Sequence, residues 1–160
     1  MNKEKILRLL IARLATDLDV LFTAAKTAHA AATHEECVAD NKYDTLGLEA
    51  SYVAQGQANR AQEIKQALET YRKLELRTFA EETPIRLTAL VTLEADDGSG
   101  RTVVLGPAAG GLKIEADGEE IIVITPGSPL GRALLGKSAG ERVEIPAGSA
   151  NKAYEIVEVR

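Results

Sequence analysis

The sequence contains one cysteine, one methionine and no tryptophan, and its aromatic residues are only two phenylalanines and four tyrosines. A single thiol, Cys37, excludes an intramolecular disulfide and any multi-cysteine zinc site. No stretch approaches the ~20 consecutive apolar residues needed to span a bilayer. Met1-Asn2-Lys3-Glu4-Lys5 leads into a charged helical pattern rather than a cleavable signal peptide. These absences predict a protein of the reducing cytoplasm with no membrane partner. Nowhere is there a basic stripe interleaved with aromatics. Autonomous nucleic-acid binding is therefore not expected, because phosphate affinity needs clustered Lys and Arg and base stacking needs aromatic faces.

The net charge of −5 over 160 residues is unevenly placed. Residues 1–77 carry 11 basic and 11 acidic side chains, whereas residues 78–160 carry 8 basic and 13 acidic, so the second half holds the whole excess. Hydrophobic periodicity divides at the same place. Leu7, Ile11, Leu14, Leu18, Leu21, Ala25, Ala28 and Ala32 recur at spacings of four and three, a heptad seam. A second seam runs through Ala54, Ala61, Ile64, Leu68 and Tyr71. Between them His34–Asn41 is too short for anything but a reversal, which predicts an antiparallel two-helix coiled coil over 1–77. Each arm of about 32 residues would be roughly 48 Å long. The second helix is expected to start between Asn41 and Thr45, capped by Asp40 or Asn41. Gly47 and Gly56 fall inside it, each costing about 1 kcal/mol against alanine. Thr33 and Glu36 also have capping-box spacing.

After a linker at 78–83, the period changes to two. Ile85–Glu94, Arg101–Leu105, Leu112–Glu115, Glu120–Thr125, Arg142–Ile145 and Ala153–Val159 read as strands, with Asp97-Gly98 and Asp117-Gly118 as hairpin turns. Pro129–Gly136 reads as one short helix. The fold class is therefore α+β, a helical hairpin followed by a mostly antiparallel β domain over 84–160.

Residues 131–138, Gly-Arg-Ala-Leu-Leu-Gly-Lys-Ser, satisfy the phosphate-loop pattern G-x-x-x-x-G-K-[ST]. That pattern works only as a glycine-rich loop of free N–H groups between a strand and a long helix. Here Ala133, Leu134 and Leu135 favour burial on a helix, and Gly140 leaves no room for a long one. The match is read as coincidental. Gly106–Gly111 is similarly read as a strand connection rather than a ligand loop.

A longer string accounts for these residues better. Ser128-Pro129-Leu130-Gly131-Arg132-Ala133-Leu134-Leu135-Gly136-Lys137, then Gly140-Glu141 and Tyr154-Glu155-Ile156-Val157, closely resembles the C-terminal domain of the bacterial transcript cleavage factors, the Gre factors. Glu141 stands where those proteins usually carry Asp. The order of parts, finger first and β domain second, is similar as well. This resemblance implies an FKBP-like β domain that docks on bacterial RNA polymerase, and a coiled coil inserted through the polymerase's secondary channel. Nucleic acid would be met only indirectly, within the elongation complex. Two tip acids of such factors help hold a catalytic magnesium and an attacking water, so any Mg2+ would be shared with the polymerase and none is expected to be intrinsic. The protein itself would not be an enzyme. Ser128, Arg132 and Lys137, at the edge of the short helix, are candidate polymerase contacts.

The tip reads Thr33-His34-Glu35-Glu36-Cys37-Val38-Ala39-Asp40-Asn41-Lys42-Tyr43-Asp44. The cleavage-active tip resembles Asp-Leu-Ser-Glu-Asn-Ala-Glu-Tyr. Setting Asp40-Asn41 on its Glu-Asn pair puts the first acidic position on Cys37, immediately after Glu36, and Tyr43 arrives one residue early. Glu35, Glu36, Asp40 and Asp44 are the candidate tip acids, in an altered register. Since a misplacement of about 1 Å can cost on the order of 100-fold in positioned chemistry, two modes follow: stimulation of cleavage, or occupation of the channel without it. The plainer reading of the four acids is a solvated turn with capping carboxylates. His29 and His34 are read as surface residues.

A reading of a different class is a generic FKBP-like and coiled-coil interaction module that does not act on RNA polymerase. Prolyl isomerisation needs an aromatic-lined pocket, and residues 84–160 offer only Tyr154. Because the seams are used within the chain, a monomer is expected.

Overall fold

A computed structural model of the chain describes residues 1–33 and 46–160. Two long helices come first, α1 (Lys3–Thr33) and α2 (Leu46–Arg72). The Asn2 side chain caps α1 by accepting the Glu4 N–H at 2.8 Å and the Lys5 N–H at 3.4 Å, satisfying donors that the first helical turn leaves open. The expected start of the second helix and the Thr33/Glu36 capping box lie outside the described residues. Gly47 and Gly56 are inside α2, as the seam required.

The chain divides into two compact units, Ile11–Glu69 and a second made of Met1–Leu10 with Thr70–Arg160. In the first unit Leu14, Ala61, Ile64, Ala67 and Leu68 are buried. Its described residues are helical, so their apolar stripe is covered by helix against helix. Outward positions carry ion pairs one turn apart, Arg13–Asp17 at 3.1 Å and Arg60–Glu63 at 3.0 Å. The second seam is buried at Ala61, Ile64, Leu68 and Tyr71, as read from the sequence. The first seam needs correction: Leu7, Ile11, Leu18 and Leu21 are half-buried, and the fully buried stripe is Ile6, Leu10 and Leu14.

The second unit is built on a six-stranded sheet. Its strands are β1 (Leu90–Ala95), β2 (Gly100–Leu105), β3 (Lys113–Ala116), β4 (Glu119–Ile124), β5 (Arg142–Ala147) and β6 (Ala150–Val159), with α3 (Pro129–Leu134) between β4 and β5. They lie in the order β3-β4-β2-β1-β6-β5. Every pairing is antiparallel except β2 with β4. Asp117 (φ 54°) and Gly118 (φ 82°) make the tight β3–β4 turn, both residues in the left-handed region that a type I′ turn demands. The core gathers Val91, Leu93, Val103, Leu105 and Ile156 of the sheet with Leu130 and Leu134 of α3. The expected α+β class, with a helix pair and a mostly antiparallel sheet carrying one short helix, is the architecture observed.

The first β segment begins later than its alternation suggests. Ile85 is buried, but its N–H donates to Lys137 O at 2.8 Å and its carbonyl accepts from Gly136 N at 3.0 Å. It is tied to the chain after α3, not to a strand. Thr88 then breaks extended geometry with φ 76°, which is uncommon for a β-branched residue. Its conformation is held from all sides: its N–H donates to Leu105 O at 2.8 Å, its Oγ1 accepts from Arg77 N at 3.0 Å, and its carbonyl accepts from Lys3 Nζ at 3.0 Å. The same ammonium donates to the Arg77 carbonyl and to Arg160 O at 3.3 Å, and lies 4.4 Å from the centre of the Phe79 ring. Burial pushes its pKa below the usual lysine value. Lys5 pairs with Asp117, and Tyr71 donates its hydroxyl to Ala108 O at 2.7 Å. Within this unit, therefore, the first turns of α1 and the end of α2 are sewn to the sheet by side chains.

Candidate functional site

The segment from Ser128 to Glu141 is organised by its own sequence. Ser128 is the N-cap of α3, with φ −71° and ψ 155°. Its Oγ accepts the Gly131 N–H at 3.0 Å and donates to Thr125 O at 2.7 Å. Pro129 takes the first helical position, where no N–H is needed. Gly131 is required by space: a Cβ there would lie 1.9 Å from Thr125 O. Leu130 and Leu134 point into the core. Gly136, at φ 79°, turns the chain out of the helix.

This geometry excludes the phosphate-loop reading on physical grounds. The amides that would cradle a phosphate already donate within the protein, Leu135 N to Gly131 O, Gly136 N to Ile85 O and Lys137 N to Leu134 O, each at 3.0 Å. Gly131 lies inside α3, and α3 is only six residues long. In the Gly106–Gly111 loop the Gly106 and Gly111 N–H groups are likewise taken, by Ile124 O and Val123 O at 2.8 Å each. Gly106 packs against Tyr71, whose hydroxyl would sit 2.0 Å from an added Cβ.

Of the three candidate contact residues here, Ser128 has both hydrogen-bonding functions of its hydroxyl engaged in the cap. Arg132 is exposed and forms no ion pair among the described residues. Lys137 is exposed and pairs with Glu141 at 3.5 Å. Glu141 has a role that spacing alone did not reveal: its Oε2 accepts the Ser138 N–H at 2.6 Å, closing the turn that leads into β5. The signal was present, since a carboxylate three residues after Ser138 has the reach to do this. Arg132 and Lys137 thus stand exposed on one short segment, Arg132 without an ion pair among the described residues and Lys137 paired with Glu141.

Glu35, Glu36, Asp40 and Asp44 lie outside the described residues, with Cys37 and His34. Among the described residues no group of three or more His, Cys, Asp or Glu side chains could hold a metal ion. Nor is any described helix long and apolar enough to cross a membrane.

Comparison with known proteins bears on the same segment. The family described as "Transcription elongation factor, GreA/GreB, C-term" matches residues 81–160, half of the chain. The transcription elongation factor GreA of Polaromonas naphthalenivorans (strain CJ2) is 31% identical over 103 residues, covering 62% of this chain and 60% of that protein. GreA of Rhodopseudomonas palustris (strain TIE-1) is 42% identical over 78 residues, covering 47% of this chain and 44% of that protein. The chain thus spans 60% and 44% of the lengths of these two relatives. Among solved structures, Thermus aquaticus Gfh1 is 24% identical with a TM-score of 0.42, covering 94% of this chain and 91% of that chain.

Proposed function

Because this chain belongs to the GreA/GreB family of transcription elongation factors, we propose that it binds bacterial RNA polymerase in the cytoplasm and works on transcription through the polymerase's secondary channel. Residues 81–160 are the docking domain, and Arg132 and Lys137 are its polymerase contacts. Ser128 acts beneath them as the cap that fixes their helix. The helix pair enters the channel and brings Glu35, Glu36, Asp40 and Asp44 toward the active site, where any magnesium belongs to the polymerase. The chain is not itself an enzyme, and it meets nucleic acid only through the elongation complex.

The observation that carries this reading is the family match over 81–160, which contains the whole capped turn from Ser128 to Lys137. The altered tip register supports occupation of the channel, with modulation of elongation or initiation, over stimulation of cleavage. In two-metal phosphoryl chemistry carboxylates act by position, and here the first acidic position falls on Cys37.

The test is transcript cleavage in a backtracked elongation complex, with the wild-type chain and with the Glu36→Gln/Asp40→Asn double variant, alongside polymerase binding and competition with a cleavage factor. Saturable binding that displaces the cleavage factor without shortening the RNA is expected. Cleavage by the wild type, lost in the double variant at unchanged binding, would instead make it a cleavage factor with a re-registered tip. Absence of polymerase binding would overturn the proposal.

A further inference from the structure

The Glu141 carboxylate is fixed from its own backbone outward. Its Oε2 accepts the Ser138 N–H at 2.6 Å, and the Glu141 N–H donates back to Ser138 O at 3.2 Å. The Glu141 carbonyl accepts from Ile156 N at 2.8 Å, and Gly140 N donates to Ile156 O at 2.7 Å, so this stretch of chain is tied to β6. The second carboxylate oxygen, Oε1, stands 3.5 Å from Lys137 Nζ. Lys137 is anchored at its base in the same manner. Its N–H donates to Leu134 O at 3.0 Å, and its carbonyl accepts from Ile85 N at 2.8 Å. The two side chains themselves are 45% and 46% exposed.

A carboxylate so placed has two possible roles, aiming the ammonium or countering its charge. The distance decides between them. A charge-assisted hydrogen bond from nitrogen to oxygen runs to about 2.7–2.9 Å, so a carboxylate oxygen at 3.5 Å grips no Lys137 donor. An ammonium on its flexible stem is also a mobile point charge that needs no aiming. Coulomb attraction, by contrast, falls only as the inverse of distance. The charge is therefore countered although the direction is not set. Nor does the carboxylate readily withdraw, because doing so forfeits the bond from the Ser138 N–H. Arg132, on the same segment, has no ion pair among the described residues.

We infer that Glu141 is a built-in counter-charge that weakens docking through Lys137 onto an acidic group of the polymerase. A carboxylate reaching this ammonium must draw it away from Glu141 or settle beside a second negative charge held in place. A neutral carbonyl would feel neither cost, since the ammonium keeps donors to spare. Arg132 bears no such restraint and is the stronger of the two contacts. This inference rests on the reading of Arg132 and Lys137 as polymerase contacts, and it adds the chemistry of the group that Lys137 meets.

The test is a fluorescence-anisotropy titration of the full chain against RNA polymerase, with wild type, Glu141→Gln, Lys137→Gln and the double variant. Glutamine keeps an oxygen for the Ser138 N–H and removes only the charge. Exposed ion pairs shift equilibria modestly, so Glu141→Gln should tighten binding by roughly two- to fivefold at low salt. The gain should shrink at salt concentrations where the screening length falls below about 10 Å, and it should vanish in the Lys137→Gln background. A residue that merely props up the turn would give the opposite sign, weaker binding whether or not Lys137 is present. Glu141→Asp, which keeps the charge, should show no gain. Urea midpoints check that each variant is folded. Binding by the wild type with no gain in Glu141→Gln, or a gain that survives Lys137→Gln, would overturn the counter-charge and leave the docking reading standing. No binding by the wild type would overturn the docking reading and this inference with it.

Discussion

The same substitution, glycine to alanine, should have opposite effects at two positions. At Gly131 the added Cβ would lie 1.9 Å from Thr125 O and 2.9 Å from Ser128 Oγ. Thr125 O is also the acceptor for Ser128 N at 3.0 Å and Ser128 Oγ at 2.7 Å. Relief of the clash therefore has to displace the cap itself. Loss of an N-cap costs ~1 kcal/mol, and overpacking a filled site adds typically 1–3 kcal/mol, so Gly131→Ala should destabilise by roughly 2–4 kcal/mol. At Gly56, inside α2, an added Cβ meets nothing within 4 Å, and the intrinsic preference of alanine for helix should stabilise by about 1 kcal/mol. Urea denaturation followed by circular dichroism measures both. Hydrogen exchange at Val123 and Ile156 separates sheet opening from helix fraying in the Gly131 variant. A Gly131→Ala chain as stable as wild type would refute the cap geometry. A Gly56→Ala chain destabilised to a similar degree would refute the exposed helical placement of residue 56.

Three further outcomes are expected. Ala109 holds φ 58°, where a Cβ costs roughly 1–2 kcal/mol, so Ala109→Gly should raise the urea midpoint despite adding a flexible residue. Tyr71 is buried and its pKa is pushed up to about 12 by that burial, only partly offset by the bond to Ala108 O. The stability tied to its neutral form is fully present below the unfolded value near 10 and is lost as pH rises through about 12. An alkaline ultraviolet titration should show a late phenol step that Tyr71→Phe deletes. Ser128→Ala should cost ~1 kcal/mol of stability and leave polymerase affinity unchanged in the folded fraction, whereas Arg132→Glu should lower that affinity and leave the urea midpoint unmoved. The reverse pattern would place the contact on Ser128.

Much of the local structure was legible because neighbouring residues produce it. The change of period near residue 84 falls between the end of α2 at Arg72 and the start of β1 at Leu90. Asp117-Gly118 supplies the two left-handed residues of a tight turn, and Ser128-Pro129 with Gly136 starts and stops α3 where the sequence put it. β5 and β6 run longer than their alternation suggested, because Ala147 pairs with Ala150 around the two-residue turn Gly148-Ser149, with Gly148 at φ 66°, a turn that alternation alone did not mark. At the candidate site, Arg132 and Lys137 could be singled out from the resemblance. That Ser128 is occupied as a cap, and that Glu141 closes the next turn, required the hydrogen bonds themselves.

The sequence by itself determined that this is a helix pair joined to a mostly antiparallel sheet, since periods of 3.6 and 2 are properties of successive side chains. It also carried the family signature, whose longest piece, Ser128–Lys137, is a contiguous capped turn. Only the tertiary structure decided which face of α1 is buried: Ile6 and Leu7 line a small apolar cavity with Leu90 and Val104, so sheet residues more than eighty positions away set the stripe that heptad spacing could not. It alone placed Lys3 on three carbonyls and made Thr88 left-handed. It alone set β4 parallel to β2 and brought Arg101 over Tyr154. In each case the deciding partner is distant along the chain, and a one-dimensional pattern records the preference of a residue for burial without recording what will cover it.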